Sequence, residues 1–342
     1  MLDDLGTVEG WVLIELLMAG ALLTAPLPAP DDTPALTAVR QDPPARPAVQ
    51  LEDVVVSGQP LDRLIRDFVG EVAEPNRNRG LARWEDRVCV GVANLEGEIA
   101  QYLTDRISTV ATDIGLTAGA PGCTPNILVI ATADAEGLAR QLTVDRRRAF
   151  RMGGAGMDRG GAALRDFVAT DRPVRWWQMA MPIDSETGGR AVRIPGDCEG
   201  IQCAGGDNSV LAFAPQIKVF AASRIRTQIV DSLIRAVVIV DVDEVQNVSA
   251  LQLADYIAMV TLAQIDPDAD TGSYASILNV FDAPGSSDSL TDWDRAYLDG
   301  LYAAERNQIG ERAARSDVVD SIHRSHRALR EGDDTSEPAA DN

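Results

Sequence analysis

The chain has 342 residues, 31 basic against 52 acidic side chains and a formal charge of −21, with 45% hydrophobic and 24% charged residues. That length and apolar share support a sizeable buried core. The negative excess disfavours nucleic acid and anionic membrane surfaces, whose phosphates this chain's own field repels. No run of about 18 apolar residues occurs after the first segment, so no integral membrane domain is expected.

Trp11–Leu23 (WVLIELLMAGALL) is an apolar run of signal-peptide length. Residues 1–25 therefore read as a signal peptide, although Asp3, Asp4 and Glu9 precede the run and Glu15 interrupts it. The alternative is an amphipathic helix docked on the body. Pro26 to Pro47 holds seven prolines. Residues 26–50 read as an extended, disordered linker, because proline interrupts both helix and sheet hydrogen bonding. An apolar start, a proline-rich spacer and a folded body together predict a periplasmic or secreted protein; a cytoplasmic one is the alternative.

The body, residues 51–315, alternates strands and helices. Val54–Ser57 reads as a short strand, and Leu61, Leu64, Ile65, Phe68 and Val72 fall on one helix face. Arg87–Ala93 reads as a buried strand. Ile99, Leu103, Ile107, Val110 and Ile114 mark a long helix over 95–114, with Gly115 placed to end it. Asn126–Ala131 is the next strand, and Asp134 an N-cap. From Asp145 to Pro215 glycines dominate, with a short helix at Ala162–Val168 and an apolar run from Val174 to Met181. A helix is expected near Ile225–Ile234, followed by the strongest strand, Ala236–Val242 (AVVIVDV). Ser249 caps a helix to Ile265, and Thr291 or Asp292 caps one through Ala304. Residues 316–342 read as a polar extension whose acidic tail, from about Asp333, is disordered. The pattern predicts one α+β domain, an α/β-like sandwich with a mixed sheet and packed helices.

Cysteines occur at positions 89, 123, 198 and 203. The favoured pairing is Cys89–Cys123, joining neighbouring strands of one strand–helix–strand unit, and Cys198–Cys203, closing a local loop. The alternative is four reduced thiols, with Cys89 a small core residue. The only histidines are His323 and His326, which excludes a histidine-based triad or three-histidine metal site from the main body. Asp266, Asp268 and Asp270 alternate like the start of a calcium loop, but Thr271 and Ile277 stand where that loop needs glycine and glutamate. A solvated turn is the simpler reading.

Gly154–Gly161 (GAGMDRGG) has neither the spacing nor the preceding strand of a dinucleotide loop. Arg146, Arg147, Arg148 and Arg151 pair more simply with carboxylates than with a bound anion. Asp241 and Asp243 end the strongest strand, where active sites often lie in such folds, and alternation puts both on one face. Trp176–Trp177 could mark a ligand surface, but one ring in the core and one at an edge is the ordinary outcome. No cofactor is implied, and no metal site is expected.

Val237–Val242, Leu253–Gln264, Ser276–Phe281 and Leu290–Tyr302, with Cys89 and Cys123–Pro125–Asn126, resemble a family of bacterial exported proteins with a degenerate zincin-like (metalloprotease-like) domain. A working zincin binds zinc through two histidines one helical turn apart, and a glutamate beside the first activates water. On the frame the resemblance implies, those places hold Ala254, Asp255 and Ala258, so both ligands are missing. The resemblance thus implies a metal-free binding or structural module of the cell envelope, with an envelope protein as partner. The competing expectation is a hydrolase using Asp241, Asp243 and Asp255.

Overall fold

A computed structural model of the chain describes residues 60–76, 79–151, 156–192, 226–308 and 311–336. The expected signal peptide and linker, the Val54–Ser57 strand, Cys198, Cys203 and part of the Gly154–Gly161 loop lie outside those residues. In chain order the elements are α1 (Leu61–Val72), β1 (Arg87–Val88), β2 (Val90–Ala93), α2 (Gly97–Asp113), β3 (Thr117–Ala118), β4 (Ile127–Thr132), α3 (Ala135–Asp145), α4 (Arg147–Phe150), α5 (Gly160–Ala169), β5 (Val174–Asp184), β6 (Ile229–Asp241), α6 (Ala250–Leu262), α7 (Asp292–Ala303) and α8 (Glu311–Ser336). The fold is α+β, with helices packed on a mixed sheet. Among the described residues no helix is long and apolar enough to cross a membrane.

The main sheet runs β2-β4-β6-β5, the first three strands parallel and β5 antiparallel at the edge. Strand β6 (IVDSLIRAVVIVD) is paired on both sides and rich in β-branched residues, the composition of a strand buried on both faces. Alternation sends Ala236, Val238 and Val240 to a large core built with α1, α2, α6, α7 and α8. Val237 and Ile239 go to a smaller one with α3, α4 and α5. The adjacent tryptophans divide the same way. Trp176 enters the large core and Trp177 the small one, and their indole N–H groups donate to Ile265 O (3.2 Å) and Phe150 O (2.8 Å). Both rings are therefore buried, where one was expected at an edge.

Helix α6 is apolar all round and buried from Gln252 to Leu262, which leaves its C-terminal carbonyls inside the core. Each of the last four finds a side-chain donor. Gln178 Nε2 donates to Val260 O (2.9 Å) and Ala263 O (2.8 Å), Trp84 Nε1 to Thr261 O (2.8 Å), and the Tyr302 hydroxyl to Leu262 O (2.8 Å). One buried helix end thus ties together β5, the segment before β1 and α7.

Several sequence signals appear where expected. Asp134 accepts from Gly137 N (2.8 Å), Ser249 and Gln252 form a capping box on α6, and Thr291 and Asp294 form one on α7. Gly115 follows α2 at φ 88°. Cys89 and Cys123 lie at disulfide-bonding distance, their Cα atoms 6.2 Å apart.

Two expectations are corrected. The helix expected near Ile225–Ile234 is strand from Ile229 onward, because those residues ladder antiparallel against Ala180–Asp184 beyond a register shift at Met179/Ala180. The expected polar extension from residue 316 is part of α8, which runs to Ser336 and buries Val318, Val319 and Ile322. These apolar residues, with Leu329 and the buried Ser321 and His326, dock an otherwise polar helix.

The α7–α8 crossing depends on Gly300, where an added Cβ would lie 2.5 Å from the backbone N and Cα of Ile322. Ala normally stabilises a helix by about 1 kcal/mol over Gly. Gly300→Ala should instead destabilise the fold by about 1–3 kcal/mol through forced separation of the two helices, read by urea denaturation; a gain in stability would contradict the packing. On α8 His326 is buried, its ring 5.4 Å from that of Trp293 on α7. Burial, helped by Arg330, holds its pKa below the ordinary histidine value, while Asp292 partly offsets this. The unfolded chain therefore takes up this proton first as pH falls below about 6.5. The stability contributed by neutral His326 is present above that pH and is lost toward the lower folded value. Thermal melts from pH 7.5 to 5.5 should show a larger loss for the natural chain than for His326→Phe; parallel losses would contradict it.

Candidate functional site: locked carboxylates and an arginine-walled cavity

The acids singled out from the sequence do not converge. Asp255 is wholly buried on α6, its carboxylate held bidentately by Arg106 of α2 (Nε–Oδ1 2.6 Å, Nη2–Oδ2 3.0 Å) while Oδ2 also accepts from Leu290 N (2.8 Å). It faces a helix partner, not a cleft. Asp241 ends β6 and its Oδ1 accepts from Asp243 N (3.1 Å), so the chain has already turned and the two do not share a strand face. Asp243 is exposed. The nearby Glu244 carboxyl is raised by desolvation and then by Asp171 and Asp241.

The three acids of the suspected calcium loop separate as well. Asp266 lies 3.8 Å from Arg159, Asp268 pairs with Arg172, and the Asp270 carboxylate accepts from Gly272 N (3.2 Å). Among the described residues no group of three or more His, Cys, Asp or Glu side chains could hold a metal ion. Of the basic segment, Arg151 pairs with Asp158 (3.4 Å), whereas the exposed Arg146, Arg147 and Arg148 have no carboxylate partner among the described residues.

Topology assembles a different site at the opposite end of β6. Two adjoining cavities, about 450 and 580 Å³, lie among the segment before β1, the start of β6, the end of α7 and the start of α8. The walls meet through backbone pairing: Arg83 bridges Ser232, Leu233 N donates to Arg83 O (2.9 Å), and Thr227 N donates to Asn307 O (2.7 Å). Among the described residues the first cavity is walled by Arg79, Arg83, Arg226, Arg306 and Arg315 against Asp231 and Glu305. That is an excess of three positive charges in a chain of net −21. Its apolar wall is Leu81, Ile229, Val230, Leu301 and Val318.

Most of these arginines have fixed partners. Arg83 Nη1 donates to Leu301 O and to Ala304 O (3.1 Å), closing the end of α7, and its guanidinium sits 5.6 Å from the centre of the Tyr302 ring. Arg79 lies 3.3 Å from Asp231, Arg226 lies 3.2 Å from Glu305, and Arg306 pairs with Glu85 and donates to Asp231 O (2.6 Å). Positive charge is nevertheless left over. Burial and the neighbouring Arg306 lower Arg83 to about 10. Arg306 Nε is buried without a hydrogen-bond partner, as are Asn307 Oδ1 and Gln228 Nε2 beside it. Arg315, exposed on α8, has no carboxylate partner among the described residues.

No short motif announces this site. Its arginines come from positions 79–83, 226, 306 and 315, and only the pairing of residues 83 and 226–233 with their neighbours brings them together.

The asymmetric burial of the Arg106–Asp255 pair gives a test of its structural role. Arg106 keeps 23% side-chain exposure and Asp255 none. Arg106→Met strands a buried carboxylate and should cost about 3–5 kcal/mol. Asp255→Asn still accepts from Leu290 N and lets Arg106 turn to water, costing about 1–3 kcal/mol. Chemical denaturation reads both; a stabilising Asp255→Asn, the common behaviour of a strained active-site acid, would contradict this assignment.

Comparison with protein-family models, with curated proteins and with solved structures gives no match for this chain.

Proposed function

We propose that this chain is an exported cell-envelope protein whose folded body is a non-catalytic binding module, with the arginine-walled cavities as its ligand site. One observation carries the reading. Asp255, the most buried of the acids a hydrolase would use, is consumed by Arg106 and Leu290 N, whereas the cavities gather cationic donors and apolar wall in one place. Concave pockets of this size that combine an apolar wall with placed polar groups are the usual form of small-molecule sites.

Export is supported by the Cys89–Cys123 pair, since disulfides persist mainly in oxidising compartments. On the zincin-like frame the three places that would bind and activate water hold Ala254, Asp255 and Ala258, each with no exposed surface. That supports a scaffold kept without its chemistry. An envelope protein remains the proposed partner.

Mass action gives the test. A ligand at 100 times its Kd stabilises the folded state by about 2.7 kcal/mol. A thermal-shift screen of small molecules should find compounds that raise the Tm of the natural chain but not of Ala314→Trp, which fills the cavity from half-buried Ala314 on α8. Each compound should be recovered unchanged. Turnover abolished by Asp241→Asn or Asp243→Asn would contradict the module and restore the hydrolase. Equal stabilisation of Ala314→Trp would move the site elsewhere.

A further inference from the structure

The binding reading leaves the ligand's chemistry open, and the cavity's charge balance narrows it. Among the described residues five arginines face two carboxylates in the first cavity, and the second adds Glu85. The surplus is small, so a polyanion would exceed it and meet the repulsion of a chain of net −21. Among the described residues, the guanidinium donors at this cavity without a hydrogen-bond partner are the exposed Arg315 group and the buried Arg306 Nε and Arg79 Nε, the last lying 3.3 Å from the Asp231 carboxylate. They match one anionic head, for which charge-assisted N–H···O bonds are the strong form of recognition. Beyond them Leu81, Val230, Leu301 and Val318 form an apolar wall, and Ile229, 38% exposed, stands at the same cavity as one of few large apolar side chains left open among the described residues. Such a wall gains only from an apolar body.

We infer that the cavity takes a single-headed amphipathic anion, a carboxylate or phosphate monoester on an aliphatic chain, with the head at Arg306 and Arg315 and the chain along Ile229, Val230 and Val318. This rests on the binding-module reading and names its ligand class.

Isothermal titration of the full chain with decanoate, decyl phosphate, decanol, decyltrimethylammonium and inorganic phosphate tests it. Decanoate or decyl phosphate should bind at least tenfold more tightly than decanol and than the cation, and inorganic phosphate alone should bind weakly because it leaves the apolar wall unused. The two anions separate a carboxylate from a phosphate head. Arg315→Gln, at an exposed position without a structural partner among the described residues, should weaken the preferred anion about tenfold and leave decanol unchanged. Arg306→Gln should do the same or more, with circular dichroism reporting whether its loss of Glu85 disturbs the fold. Ala314→Trp should abolish binding of all probes.

Decanol binding as tightly as decanoate, or anion affinity unchanged in Arg315→Gln, would overturn the anion assignment while leaving a cavity that binds apolar molecules. No binding by any probe would also overturn it, and the wider screen above then decides separately whether the cavity binds other ligands. Anion binding that survives Ala314→Trp would overturn the placement.

Discussion

The buried C-terminal end of α6 is the constraint on which the rest of the body is arranged. A helix wrapped on all sides by core cannot leave its last carbonyls to water, and each unpaired one would cost about 1–3 kcal/mol. Gln178, Trp84 and Tyr302 take the four carbonyls from Val260 to Ala263. Those side chains come from β5, the segment before β1 and α7, so meeting the need of one helix end fixes three elements around it. Tyr302 then presents its ring to Arg83, and Arg83 closes the end of α7. The wall of the cavity is in this sense a by-product of satisfying α6.

The same constraint separates charge from core. Strand β6 is covered on both faces along its apolar half, leaving Asp231 near one end and Asp241 at the other as the places where it meets polar surroundings. At the Asp241 end the chain turns, with Asp241 accepting from Asp243 N and Asp243 exposed, before α6 starts at Ala250. At the Asp231 end four elements meet without closing the space between them, and arginines line it. Burial pushes the Asp231 carboxyl up while Arg79 and Gly80 N–H pull it down. That mutual dependence of acid and base holds the walls in place without neutralising all the arginines.

Much of the framework was legible in the sequence because local chemistry decides it. Asp134, Ser249 and Thr291 each stand just before an apolar periodic run, where their side-chain oxygens meet the first free helix N–H groups. Cys89 and Cys123 flank one strand–helix–strand unit, so their proximity follows from topology. What failed was decided by distant partners. Residues 229–234 read as helix until β5 offers them a ladder, and α8 is polar except where Val318, Val319 and Ile322 meet the core. Asp255 looked available because its partner Arg106 is 149 residues away in sequence. The cavity was invisible for the same reason, its arginines spanning positions 79 to 315.

A crystal structure of the protein grown with decanoate tests the central claim most directly, that the core acids are locked and the arginine-walled cavity is the binding site. The account predicts the carboxylate within hydrogen-bonding distance of Arg315 and Arg306 Nε, the chain against Ile229 and Val230, and Asp255 still paired with Arg106. An empty cavity with decanoate bound elsewhere, or Asp255 turned away from Arg106 into an open cleft, would contradict it.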